Sequence, residues 1–300
     1  MPFLLPLLAL LLLSAAPTVT EVVTSMSDCD QYFLNQKPPK IGGILEGGKI
    51  LDQNQYKPIC QTLNNLRTFV TLYDTTNKIP VFSAYKYTGN TAETPPWMIE
   101  PQLEEINLNK NMKIEEEGKC YINQAINTDY TDNQVFIKGH LLPFSYGSNE
   151  NGKNSTYTLT NSVPQVISFN SGSWSRMETC VKCVLDKYCK DANRKTEGFV
   201  VIGARPSNNI RLNDKVNIPS MLWSAFCCYS SKQNKWLAGA HWGKNIEDGG
   251  PVLQTKTLDE LHQELGEPSE AFPGSQCPPD TTVTHLYPQL SKDCNCPAPV

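Results

Sequence analysis

The spacing of apolar residues along this 300-residue chain changes at identifiable points. Between 173 and 189, Trp174, Met177, Val181, Val184, Leu185 and Tyr188 recur at steps of three and four. That is the period of a helix burying one face. Elsewhere the apolar positions form short, nearly continuous runs. The stretches 68–73 and 79–87 flank the turn-prone DTTNK and predict a hairpin, and 198–204, 220–229 and 235–242 predict three more strands. A short strand is expected over 157–160, ended by Asn161. Thr257-Leu-Asp-Glu260 has the capping-box pattern and opens a helix that Gly266 closes. Prolines 95, 96 and 101 make 89–102 a loop. With no internal repeat and no linker-like run, one α+β domain over 23–275 is the simplest architecture. Its first part (23–62) reads as irregular and disulfide-tied, and a Cys/Pro-rich tail over 276–300 reads as irregular too.

The N-terminus adds a compartment. MPFLLPLLALLLLSAAPTVTEVV holds an apolar run over 3–13, too short to span a bilayer, followed by Ser14, Ala15 and Ala16. Residues 1–22 therefore read as a signal peptide, and no later run is long and apolar enough for a membrane span. The expected location is extracellular. Eleven cysteines agree with an oxidising environment, and the odd count leaves one free or intermolecular. Cys180-x-x-Cys183 has a zinc-like spacing but no second pair at finger-like distance. Asn154-Ser155-Thr156 is a glycosylation sequon in a polar stretch that reads as a surface turn. A net charge of −4 and a pI near 5.7 exclude a basic nucleic-acid footprint at whole-chain level.

Candidate chemistry sits in two stretches. FIKGHLLPFS (136–145) reads as a loop that places His140 after Lys138 and Gly139. TYTLTNSVPQVISFNSGSWSRMETC (156–180) carries Asn161, Gln165, Asn170, Trp174 and Glu178. Asn170, Trp174 and Glu178 are four apart, and on a helix each step of four rotates only about 40°, so the three would share one stripe. A neutral imidazole, two amide oxygens and a carboxylate are parts that phosphodiester hydrolysis needs. Each also has an ordinary reading: His140, like His241, His262 and His285, as a structural histidine, Asn170 as a cap, Glu178 as a solvated carboxylate, Trp174 as core.

The run His140…Asn161-x-x-Pro164-Gln165-x4-Asn170-x3-Trp174-x3-Glu178 resembles the DNA/RNA non-specific endonuclease family, which has the ββα-metal fold. The resemblance covers roughly 28–275. It implies a Mg²⁺-dependent hydrolase, with Mn²⁺ as a substitute, that cuts DNA and RNA to oligonucleotides with 5′-phosphates. By the same resemblance His140 is the general base and Asn170 the metal ligand. Asn161 supports the histidine or the substrate, Glu178 holds metal-bound water, Gln165 lies just behind, and Lys138 is the cation beside the base. The family has Asp-Arg-Gly-His where this chain has Ile137-Lys138-Gly139-His140. Lysine keeps the charge and loses the two-pronged guanidinium; isoleucine removes a carboxylate outright. The alternative expectation is thus a catalytically weakened or inactive extracellular binding protein on the same scaffold.

Overall fold

Among the stretches that read as strands, both faces of each run are apolar, and the fold shows why. The computed structural model describes residues 21–89, 95–248, 252–294 and 296–297, so nearly all of the leader expected at 1–22 lies outside the described residues. The principal strands are β1 (Tyr56–Leu63), β2 (Leu66–Asp74), β3 (Ile79–Tyr87), β4 (Phe136–His140), β5 (Ser162–Val166), β6 (Gly198–Arg205), β7 (Met221–Ser230) and β8 (Lys235–Lys244). Six of them form one antiparallel sheet in the order β8-β7-β6-β3-β2-β1. Successive side chains on a strand point to opposite faces. Val200 and Ile202 therefore join the core on one side while Phe199 and Val201 join the core on the other.

The first face carries the β4–β5 hairpin and the long helix α1 (Ser175–Tyr188). Its apolar stripe of Met177, Val181, Val184 and Leu185 is buried, as the periodicity predicted. The second face is covered by the N-terminal segment and by α2 (Leu258–Leu265). In α2 the Thr257 hydroxyl accepts from Glu260 N while the Glu260 carboxylate accepts from Thr257 N, the expected capping box.

Five disulfides tie these layers: Cys29–Cys60, Cys180–Cys296, Cys183–Cys294, Cys189–Cys228 and Cys227–Cys277. Cys120 is exposed and unpaired. Both cysteines with zinc-like spacing are thus spent on disulfides. The tail is less irregular than expected, with short helical turns at Val283–Leu286 and Leu290–Asp293 laced back onto α1. The entry stretch over 23–62 is tied by Cys29–Cys60, yet its end is the regular strand β1. The sequon is not an open turn: Asn154 ends a short helix (Glu150–Asn154), and Ser155 and Thr156 are fully buried.

One polar cluster runs through this interior. Glu100 is buried, accepts from the Thr158 hydroxyl at 3.0 Å, and has its backbone bracketed by the Gln124 amide. Burial pushes its carboxyl up to about 8 from an ordinary 4.5. A carboxyl whose pKa is raised by folding contributes stability that is lost as pH rises through the folded value. His140 and His241 are pushed down by burial to about 3, so on the acid side stability is lost as pH falls below their ordinary 6.5. Between about 4.5 and 6.5 the histidines and the raised carboxyls oppose each other, so unfolding free energy should decline as pH rises from about 6.5 to 8. Glu100→Gln should flatten part of that decline in urea titrations, the remainder belonging to Glu178, whose carboxyl is raised in the same window. An unchanged slope would remove Glu100 from this account.

Candidate active site

His140 does not sit in a loop. It is the last residue of β4, opposite Ser162 of β5, with Ile137 opposite Gln165 and Gly139 opposite Val163. Register explains the glycine. A Cβ built on Gly139 would lie 2.2 Å from Gln165 Oε1 and 2.6 Å from Gln165 Cβ, closer than real contacts allow. The Gln165 amide is buried with neither polar atom hydrogen-bonded.

After His140 the chain turns under Asn161. The stretch expected as a strand over 157–160 instead ends in a 3₁₀ turn, Leu159–Asn161, and Asn161 precedes β5 rather than ending a strand. Its buried amide is fully used. Oδ1 accepts from Leu142 N at 3.0 Å and from the Ser83 hydroxyl at 2.9 Å; Nδ2 donates to Leu142 O and Thr156 O at 3.0 and 3.1 Å. No capacity is left for a substrate, so Asn161 positions the turn that follows the histidine.

The imidazole is enclosed by aromatic rings: Tyr157 edge-on at 4.4 Å, Trp97 at 4.6 Å and Phe144 at 6.1 Å between centroids. Nε2 is buried with no hydrogen-bond partner. Burial alone accounts for the depressed pKa and keeps the ring neutral at physiological pH. Lys138 lies alongside, donating to Asn127 Oδ1 at 2.7 Å, with its ammonium 5.7 Å over Trp97. Desolvation lowers its pKa, and Glu115 opposes this. Ile137 carries no polar atom toward the histidine, which leaves the ring oriented by packing. The other histidines are structural or outlying: His241 Nε2 meets Thr255 Oγ1, His262 Nε2 accepts from Ala271 N, and His285 lies in the tail.

From β5 the chain passes into helix without a loop, and here the expected stripe is broken. Asn170–Trp174 is a π-helical segment with Gly172 at φ −98°, ψ −115°, and α1 begins only at Ser175. Single π turns inside α-helices recur at functional sites. Trp174 and Glu178 follow the α-helical period; Asn170 stands on the far side of the kink. The kink is held by Asp248, which accepts from Ser173 N at 2.6 Å and faces Arg176 at 3.5 Å. A Cβ on Gly172 would come within 2.1 Å of Asp248 Oδ2. Sequence reasoning missed Asp248, Trp97 and Tyr157, distant in the chain from the residues they touch, and Phe144, only four residues past His140.

Among the described residues the Asn170 amide makes no hydrogen bond. Glu178 is half-buried, and desolvation pushes its carboxyl up to about 8. The buried Trp174 indole N–H has no hydrogen-bond partner. Tyr146, from the turn after His140, donates to Glu178 O at 3.1 Å and so ties α1 to the histidine side. No group of three or more His, Cys, Asp or Glu side chains suited to a metal occurs among the described residues. An all-oxygen pair of one amide and one outer carboxylate suits a hydrated hard cation such as Mg²⁺, which keeps several waters. A half-buried carboxyl raised by desolvation, with no basic side chain opposing the shift, also fits such an ion.

Gly139→Ala should destabilise by about 1–3 kcal/mol through overpacking against Gln165. Asp248→Ala should cost about 1 kcal/mol by uncapping the entry to α1. Urea midpoints check both; a neutral result at Gly139 would contradict the register described.

Comparison with known proteins shows the family and the fold. The family model for DNA/RNA non-specific endonuclease matches residues 47–263. The chain is 32% identical over 220 residues to the Homo sapiens endonuclease domain-containing 1 protein, covering 70% of this chain and 40% of that one. It is 29% identical over 230 residues to the Mus musculus protein of the same name, covering 74% and 43%. It thus spans less than half the length of these relatives. Among solved structures, a chain of the EndoG/EndoGI complex superposes with a TM-score of 0.50 at 16% identity, covering 69% of this chain and 85% of that one; this shows a shared fold. Half the chain and more falls within the matched model, and the protein belongs to the DNA/RNA non-specific endonuclease family.

Proposed function

We propose that this chain is a secreted, Mg²⁺-dependent endonuclease that hydrolyses phosphodiester bonds of DNA and RNA without sequence preference. The observation that carries the reading is His140, ringed by aromatics at the end of β4, in a β4–β5 pair that leads directly into the helical segment bearing Asn170. Five disulfides support secretion into an oxidising environment. Among the described residues no helix is long and apolar enough to cross a membrane.

Asn170 would hold the metal, and Glu178 would orient the ion's coordinated water. When bound, the ion polarises a non-bridging phosphate oxygen. His140 takes the proton of the attacking water at Nδ1, since Nε2 is shut in by the rings. A phosphate arriving beside the imidazole favours its protonated form and so raises its low pKa toward a working value. Lys138 lends a positive charge near the phosphate, as a point charge rather than a fork. The P–O3′ bond breaks, leaving a 5′-phosphate and, after protonation by water, a 3′-hydroxyl.

Ile137 favours a second reading, binding without turnover, because no acceptor replaces the missing carboxylate. Digestion of plasmid and RNA by the disulfide-intact protein separates the two. Cleavage should require Mg²⁺ or Mn²⁺ and fall about 10²–10⁴-fold in His140→Ala. Glu178→Gln should weaken metal dependence about 10–100-fold. No cleavage by the native chain, with recovery in Ile137→Asp/Lys138→Arg, would establish the binding reading instead.

A further inference from the structure

The rings around His140 are unequally covered. Tyr157 is buried at 9%, Trp97 is partly buried, and Phe144 is 43% exposed. Tyr157 joins the other two, with centroids 5.2 Å from Trp97 and 6.2 Å from Phe144. Phe144 belongs to none of the buried clusters. An exposed aromatic face thus lies beside the candidate base, and the Lys138 ammonium lies over the neighbouring ring.

A flat π-face next to a cation matches a nucleobase next to its phosphate, because every base has a face to stack and a backbone charge close by. In a duplex those faces are stacked on one another, and only edges and backbone are presented. A ring face at this position is filled only by a base out of its stack. We propose that Phe144 and Trp97 form a base-stacking subsite beside His140 that makes the site favour single-stranded nucleic acid over duplex. The proposal rests on the nuclease reading and names its substrate class.

The test is binding of the full-length, disulfide-intact protein in EDTA, where no metal-dependent cleavage proceeds. A short fluorescently labelled oligonucleotide would be compared with its own duplex by anisotropy. The native chain should bind the single strand more tightly. Phe144→Ala should weaken single-strand binding about ten- to hundredfold, and more than duplex binding, so that the preference collapses. Phe144→Tyr should retain the preference, and Phe144→Leu, apolar without a π-face, should lose it. Equal affinity of the native chain for both forms, no binding of either, or an unchanged preference in Phe144→Ala would overturn the subsite. Cleavage assays with Mg²⁺ keep the two questions apart. Cleavage with an unchanged preference in Phe144→Ala refutes the subsite alone; ring-dependent binding without cleavage refutes the nuclease reading alone.

Discussion

One buried amide holds the site to the scaffold. Asn161 bonds Ser83 of β3 on one side and both backbone groups of Leu142 on the other, with Thr156 O as the fourth partner. Leu141 N adds a bond to Asn161 O, so the turn after His140 is fixed at two successive residues. Removing one partner of a buried hydrogen bond costs more than the bond contributes, because the other partner stays desolvated. Ser83, the Leu142 backbone and Asn161 therefore stand or fall together, and the direction of β4 depends on them.

The helix side is held by covalent means. Cys180 and Cys183 join α1 to the tail across 116 and 111 residues, and Cys189, just past its end, joins it to β7. Such closures act largely by restricting the unfolded chain. The π segment is thus pinned from both directions: Asp248 holds its exit and the β4–β5 hairpin feeds its start.

Strands β2, β3, β6, β7 and β8, the β2–β3 hairpin, the body of α1 and the capped α2 were legible because each depends on local period and turn chemistry. His140, Lys138, Asn170 and Glu178 were singled out as a set by the resemblance, whereas the single stripe expected from spacing fails at the Gly172 kink. What escaped was non-local. FIKGH gives no strand period of its own and becomes one by pairing with Ser162–Val166. The kink at Gly172 depends on a carboxylate more than seventy residues away in the chain. Trp97 and Phe144 read as loop aromatics and Tyr157 as a strand residue until the fold gathers them on one imidazole.

That enclosure surrounds a histidine preceded by Ile137, Lys138 and Gly139. With Ile137 supplying no acceptor, packing replaces hydrogen bonding as the means of orienting His140, and the same packing strips its solvent. NMR titration of the labelled imidazole in the metal-free protein tests this most directly. The account predicts that His140 stays neutral as pH falls well below an ordinary histidine's 6.5, toward about 3. A midpoint near 6.5 would mean a solvated ring, and would contradict the aromatic enclosure on which the site is built.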